Sequence, residues 1–415
     1  MNAAPALATG TGVVATPGVA QLFGHAADEI ASAAAGLWPG RGFAFGEQVP
    51  SVTCYVRRVV VGDRQMYAKY SYLGASLVSV LAGTFGGWAS VRAAQGVYLA
   101  GSGSLLAREA AQLDVLRRLG GLRTCRLVGY RRGVLFTETE PGMSLARLLA
   151  TEPWRTAELL GRTWVELRGL HGAELAHRLP PATDLGERGI LGTFTRRFTN
   201  SSAKAYLDGL VARGGDTGPW SARTTLPARR VVARLRRLWL AHPLTTDQLV
   251  VVYGDLKPEH VLFGDGCAAA GERPVLLDPA LMSGPVTVDL AKLISRTMLL
   301  LISAPAGSLT AATLTAGLID FVDHLAAASV REESRVSWWR ELVMLWLTDM
   351  VNIATTYLFA PAELPLPPHA VTVVRHARTV WRLLDQLSAE LDAGTDPHTV
   401  WKLGLTLANP PAPLP

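Results

Sequence analysis

Lysine is nearly absent from this chain. Of its 40 basic residues only Lys69, Lys204, Lys257, Lys292 and Lys402 are lysines, and the rest are arginine. Against that preference a lysine inside a structured segment points to a task that needs a compact ammonium group. Cysteine is scarce as well: Cys54, Cys125 and Cys267 are odd in number, far apart and without a Cys-x-x-Cys pair. That excludes a disulfide framework and a zinc site and suits a reducing cytoplasm. The first residues, MNAAPALATGTGVVATPGVAQLF, have no basic stretch before their apolar patches and are broken by Gly and Pro, which argues against a signal peptide. Residues 1–39 are expected to form a partly disordered leader. Long uninterrupted apolar runs are missing too. TMLLLISA is too short to span a bilayer, and LVMLWLTDMVNIATTYLF carries Asp349 and Asn352 in its interior. Both are expected to be buried core helices, and no membrane partner is expected.

What is abundant is aliphatic. The chain has 415 residues, 49% of them hydrophobic, drawn mostly from Ala, Leu and Val, which is a globular composition with a helical bias and enough length for two or three lobes. The net charge of +6 invites a nucleic-acid reading, and the densest basic run is Arg229, Arg230, Arg234, Arg236 and Arg237. At helical spacing these arginines alternate with Val231, Val232, Leu235 and Leu238, the pattern of a solvated helix face over an apolar one. No nucleic-acid partner is therefore expected, and the sequence leaves the oligomeric state open.

The segment VTCYVRRVVVGDRQMYAKY alternates apolar and polar residues around Gly62-Asp63, which predicts an antiparallel hairpin ending at Lys69. A Gly/Ser/Ala-rich stretch runs from Ser71 to Ser104. It is followed by LLAREAAQLDVLRRLGG, a helix with Leu106, Ala110, Leu113 and Leu116 on one face and Gly120-Gly121 at its end. Two short strands, RLVGY and GVLFTE, lead into the loop Glu140-Pro141-Gly142. Beyond Met143 the pattern is helical except between Val250 and Asp278. The fold class is therefore α+β and bilobal: residues 40–142 form a small mixed lobe, and residues 143–415 a large, mostly helical one. The hinge between them leaves a cleft.

The chemistry concentrates in VVVYGDLKPEHVLF and VLLDPA. Each is a short strand whose end carries an aspartate, Asp255 in the first and Asp278 in the second. Two carboxylates that converge on one opening repel unless they share a cation, and a divalent metal is the usual remedy. Phosphoryl transfer needs one carboxylate for the acceptor hydroxyl and metal ligands for the triphosphate. A glycine-rich phosphate loop is poorly marked. Gly40, Gly42 and Gly46 are expected ahead of the first strand, and the turn Gln48 to Thr53, with Ser51, is the alternative.

These motifs resemble the aminoglycoside phosphotransferase and choline kinase group of small-molecule kinases, whose pattern is His-Gly-Asp-x-x-x-x-Asn, an Asp after a strand, then Gly and Asp-Leu-Ala. The resemblance spans roughly residues 45 to 295 and implies a protein-kinase-like fold with ATP and Mg2+ as cofactors. It implies Asp255 as the catalytic carboxylate, Asp278 as the principal metal ligand, and Lys69 on the α and β phosphates, paired with Glu109. Lys257 is implied near the γ phosphate, and backbone groups around Glu138 to Glu140 near the adenine. Asp289, at the start of DLAKLI, is implied as a structural carboxylate that caps N–H groups and braces the catalytic loop.

Two positions depart from the pattern. Tyr253 replaces the first His and can still donate from its hydroxyl. His260 replaces the Asn that is the second metal ligand; an imidazole can ligate a metal, but magnesium prefers oxygen. Only eleven positions separate Asp278 from Asp289, too few for a peptide-docking segment, so a small hydroxyl acceptor is expected over a protein. The implied activity is ATP-dependent transfer of a γ-phosphate to a hydroxyl of an aminoglycoside, sugar, cyclitol or amino alcohol. A nucleotide-binding pseudokinase is the alternative. For a cationic acceptor, Glu341 and Asp349 are the candidate carboxylates.

Overall fold

The computed structural model describes residues 16–101, 103–172, 180–198, 222–244, 249–264, 273–304 and 308–409. The smaller lobe is built on a five-stranded antiparallel sheet in the order β1-β2-β3-β5-β4, with β1 Phe43–Val49, β2 Tyr55–Val61, β3 Arg64–Tyr70, β4 Leu127–Arg131 and β5 Val134–Glu138. The expected hairpin is β2-β3, registered Val61 against Arg64 around Gly62, whose φ of +64° a tight turn favours. Gly46, expected ahead of the first strand, lies within the added strand β1. Arg132 and Gly133, at φ +53° and +76°, turn β4 into β5 in the same way.

The expected leader is helical over part of its length: α1 covers Val19–Leu37. Leu22, Ala26, Ile30, Ala33 and Ala34 fall on one face and are buried against the sheet, so the stretch orders because it can cover the sheet's apolar side. The part of the leader before Thr16 lies outside the described residues. The Gly/Ser/Ala-rich stretch also contains helices, α2 Leu77–Leu81 and α3 Trp88–Ala100. Their anchor is Gln95, which donates to Tyr70 Oη (3.1 Å) and the Ser71 carbonyl (2.9 Å) and accepts the Leu73 N–H (2.7 Å). The expected helix α4, Leu105–Leu119, follows and ends at Gly120 with φ +65°.

The larger lobe is helical around two small ribbons. β6 Met143–Ser144, β8 Val261–Phe263 and β9 Val275–Leu276 form one ribbon, and β7 Val250–Val252 with β10 Met282–Gly284 forms the other. The helices are α5 Leu145–Thr151, α6 Thr156–Glu166, α7 Ile190–Phe198, α8 Ala222–Ala241, α9 Thr287–Ser303, α10 Leu309–Ser329, α11 Arg335–Phe359, α12 Pro368–Arg375, α13 Ala377–Asp392 and α14 Pro397–Ala408. The long apolar helix α11 runs through the middle, packed on α9, α13 and α14, with Trp346, Trp381 and Trp401 fully buried around it. Two helical segments, Leu309–Ser329 and Glu332–Phe359, are long and apolar enough to cross a membrane, and the apolar window of the second is 94% buried inside the protein. Asp349, which argued against a span, is satisfied there by Lys292 Nζ at 2.8 Å and Ser295 Oγ at 2.5 Å.

The arginine-rich run lies on α8, but it is more than a solvated face. Arg234 reaches Asp385 at 2.6 Å and Arg237 reaches Asp392 at 2.6 Å, while Arg230 also pairs with Asp385. These pairs join α8 to α13, and Val231, Val232 and Leu235 sink into the core from the other side.

Candidate active site

The loop Tyr253–His260 leaves β7 and enters a short 3-10 turn, Pro258–His260. Gly254 is required at its start. Its φ is +77°, and a Cβ there would stand 2.1 Å from the Ala280 carbonyl oxygen. The closeness is structural, because the Ala280 N–H donates to the Tyr253 carbonyl at 3.0 Å and the Leu277 N–H donates to the His260 carbonyl at 2.8 Å. These bonds tie the Asp255 loop to the turn bearing Asp278. Asp278 has φ +58°, a left-handed conformation that aspartate tolerates better than most residues.

Asp289 lies in the first turn of α9 with no exposed surface. Its Oδ2 accepts the Tyr253 N–H and its Oδ1 the Gly254 N–H, both at 2.7 Å, and His171 Nε2 lies 3.0 Å from Oδ2. The expected brace is present; the N–H groups it caps are those of the loop, and His171 is a third polar partner of the carboxylate. Tyr253 is buried and donates its hydroxyl to the Leu277 carbonyl at 2.9 Å. It thereby keeps a hydrogen bond to the facing turn.

The side chains that the motifs singled out come together here. Lys69, from β3, donates to Glu109 Oε1 of α4 at 2.9 Å and pairs with Asp278. Burial alone would lower the Lys69 ammonium, but Asp278 and Glu109 outweigh it and raise its pKa above the ordinary value. Lys257 Nζ lies 2.5 Å from Asp255 Oδ2. Burial opposes ionisation of Asp255, yet Lys257, Lys292 and His260 hold its carboxyl below the usual carboxylate range. His260 bridges the two aspartates loosely, Nδ1 3.8 Å from Asp255 Oδ2 and Nε2 3.7 Å from Asp278 Oδ2. Burial, with Lys257 next in weight, lowers its pKa, so the imidazole is neutral at pH 7 and keeps a lone pair. Its Nδ1 is buried and among the described residues has no hydrogen-bond partner.

The hinge expectation needs correcting at Glu138. Its N–H already donates to the Arg126 carbonyl at 2.9 Å, and its carboxylate turns outward to Arg126 and Arg64. The hinge backbone beyond it, Thr139 and Glu140, is what remains for an adenine edge. The Gln48–Thr53 turn joins β1 to β2, and Ser51 Oγ accepts the Thr53 N–H at 3.3 Å. The acceptor candidates also change. Asp349 is occupied by Lys292 and Ser295, and Glu341 accepts the Thr287 hydroxyl.

The structure adds residues that the motifs did not mark. Lys292 Nζ lies 3.9 Å from Asp255 Oδ1. One helical turn further along α9, Arg296 Nη1 donates to Tyr357 Oη at 2.6 Å, and Tyr357 Oη lies 2.9 Å from His369 Nε2. His369 Nδ1 lies 3.5 Å from Glu259 Oε1, which closes the cluster against the loop. The scarcity of lysine was a signal for Lys292. Nothing in the sequence marked Arg296 among 35 arginines (40 basic residues less five lysines).

A family model described as phosphotransferase enzyme family matches residues 100–334. The chain belongs to the phosphotransferase enzyme family. This is the small-molecule kinase class that the motifs implied. Similar solved structures include a choline/ethanolamine kinase family protein from Mesorhizobium loti (14% identity, TM-score 0.46, 91% of this chain and 99% of that one). An aminoglycoside-3'-phosphotransferase of type VIII is 22% identical, with TM-score 0.40 and 77% and 99% covered. A Plasmodium vivax ethanolamine kinase is 10% identical, with TM-score 0.45 and 82% and 84% covered. No curated protein matches the chain in sequence.

Proposed function

We propose that this member of the family moves the γ-phosphate of ATP to a hydroxyl group of a small molecule, with Asp255 as the residue that orients and deprotonates the acceptor. The observation that carries the reading is the convergence of Asp255, Asp278 and Lys69, from three separate segments, on one neighbourhood bridged by His260. In this reading the acceptor O–H donates to the Asp255 carboxylate. The acceptor oxygen bonds to the γ-phosphorus as the bond from that phosphorus to the β–γ bridging oxygen breaks, ADP leaves, and the proton rests on Asp255 until it is released. A carboxylate held in its ionised form by Lys257 is ready to accept that hydrogen bond.

The donor set fits a divalent ion that takes most of its oxygens from the triphosphate and water. Three carboxylates, Glu109, Asp278 and Asp255, face the ammonium groups of Lys69, Lys257 and, at 3.9 Å, Lys292, so the site holds no positive excess for an entering triphosphate and a divalent ion would supply it. Asp278 would hold the ion, and the lone-paired imidazole of His260 would stand beside it as a second donor. Magnesium would supply neutralisation of the triphosphate. Lys69, held by Glu109, would contact the phosphates, and the Thr139–Glu140 backbone would meet the adenine. Asp278→Ala should remove the Mg2+-dependent part of ATP binding in calorimetry; unchanged Mg2+-dependent affinity would refute the assignment of Asp278.

A further inference from the structure

Arg296 is a buried charge that the proposed chemistry does not use. It is 9% exposed, and among the described residues its guanidinium forms no ion pair; its one hydrogen bond goes to the neutral Tyr357 hydroxyl, and its Nε is buried without a partner. A buried guanidinium with no carboxylate against it is costly and persists only where something offsets it. Within the cluster Glu259, Asp349 and Asp255 favour the charge across space, but none of them forms an ion pair with it. Lys292 takes the nearby Asp349 and Lys257 takes Asp255, while Glu259, whose carboxyl Arg296 helps hold below its ordinary range, is linked to Arg296 by contact only through His369 and Tyr357. In that relay the Tyr357 hydroxyl accepts from Arg296 and shares a second hydrogen bond with His369 Nε2.

The position gives the charge a meaning. Arg296 and Lys292 stand on one face of α9, four residues apart, and Lys292 touches Asp255. Neighbours at that spacing are roughly 5–6 Å apart at Cβ. Of the two carboxylates expected to receive a cationic acceptor, Asp349 is paired with Lys292, and Glu341 accepts the Thr287 hydroxyl.

We propose that Arg296, with Lys292 beside it, forms a subsite for an anionic group of the acceptor, a carboxylate or phosphate held about one helical turn from the hydroxyl that meets Asp255. This rests on the kinase reading above and specifies its substrate class: a compact hydroxylated anion, in place of an amino alcohol or aminoglycoside. The guanidinium fork suits either anion, and Arg296 is a specificity residue that binds substrate away from the reacting atoms.

A matched three-carbon panel tests it: glycerate, glycerol 1-phosphate, glycerol and 3-amino-1,2-propanediol. Each is added at constant ionic strength to the full chain saturated with Mg2+ and a nonhydrolysable ATP analogue, and thermal unfolding is followed. Glycerate or glycerol 1-phosphate should raise Tm where glycerol and the amine do not, and comparison of the two anions tells carboxylate from phosphate. Arg296→Met should weaken anion binding on the order of thirty-fold or more and abolish the shift. Arg296→Lys, which keeps charge without the fork, should retain part of the shift and covers the case in which the methionine variant does not fold. An equal anion shift in Arg296→Met or a larger shift with the amine overturns the proposal. So does the absence of any anion shift in a protein that the nucleotide analogue itself stabilises. If the analogue gives no shift either, the kinase reading fails, and this inference fails with it.

Discussion

Asp289→Ala is the substitution whose cost can be worked most directly from the structure. The carboxylate has no exposed surface and accepts two backbone N–H bonds at 2.7 Å, from Tyr253 and Gly254. Water cannot replace it without opening the loop. Hydrogen bonds to a charged group are each worth about 1.5–3 kcal/mol, so losing two should cost roughly 3–6 kcal/mol. That is a large share of the 5–15 kcal/mol that typically holds a domain folded. Asp289→Asn keeps one acceptor oxygen and should cost about half as much. The effect should also reach turnover, because the two N–H groups immediately precede Asp255, and a displacement of about 1 Å in a reacting group costs on the order of 100-fold. Urea unfolding followed by tryptophan fluorescence, beside steady-state kinetics, measures both. If Asp289→Ala unfolds within about 1 kcal/mol of wild type at unchanged turnover, the bracing role is refuted.

Gly254→Ala should be more damaging than its size suggests, since the new methyl would stand 2.1 Å from the Ala280 oxygen at a φ of +77°; poor soluble yield or loss of several degrees in Tm is expected, and a normal melt would contradict it. His369 gives a pH signature. Burial pushes its pKa down to about 4 from an ordinary 6.5, so it folds as the neutral form. The unfolded chain then binds the extra proton first, and this contribution to stability is complete above pH 6.5 and is lost as pH falls toward 4, about 3 kcal/mol in all. Wild type should therefore lose most of that amount between pH 7 and 4.5 while His369→Gln does not; parallel pH profiles would contradict the assignment. The pairs of Arg230 and Arg234 with Asp385 are partly exposed, and Asp385→Asn should cost no more than about 1 kcal/mol, less at high salt, as chemical unfolding would report.

The legible parts of the fold were those written in local periodicity. The β2-β3 hairpin announced itself through alternation around Gly62-Asp63, and α4 through its leucine face and terminal glycines. Lys69, Glu109, Asp255 and Asp278 could be marked because their motifs resemble those of small-molecule kinases, and the structure brings the four side chains together. Helix α1 was not legible, because Gly and Pro before it suggest a loose leader and its order depends on a sheet formed by residues downstream. The helices within the Ser71–Ser104 stretch were hidden by low side-chain bulk, and their anchor, Gln95, satisfies groups that sequence alone does not bring near. Asp349 and Arg296 show the same limit at the site. Whether a carboxylate faces a ligand or a lysine, and whether a guanidinium has a partner, is decided by how α9, α11 and α12 pack, at separations of up to 61 residues along the chain.

The central claim is that Asp255 acts on the acceptor while the groups around Lys69 and Asp278 hold the nucleotide. The most direct test compares γ-phosphate transfer and nucleotide affinity in the same Asp255→Asn protein. Transfer to an accepted hydroxyl should fall on the order of 100- to 10,000-fold with the ATP dissociation constant nearly unchanged; normal transfer in that variant would contradict the account.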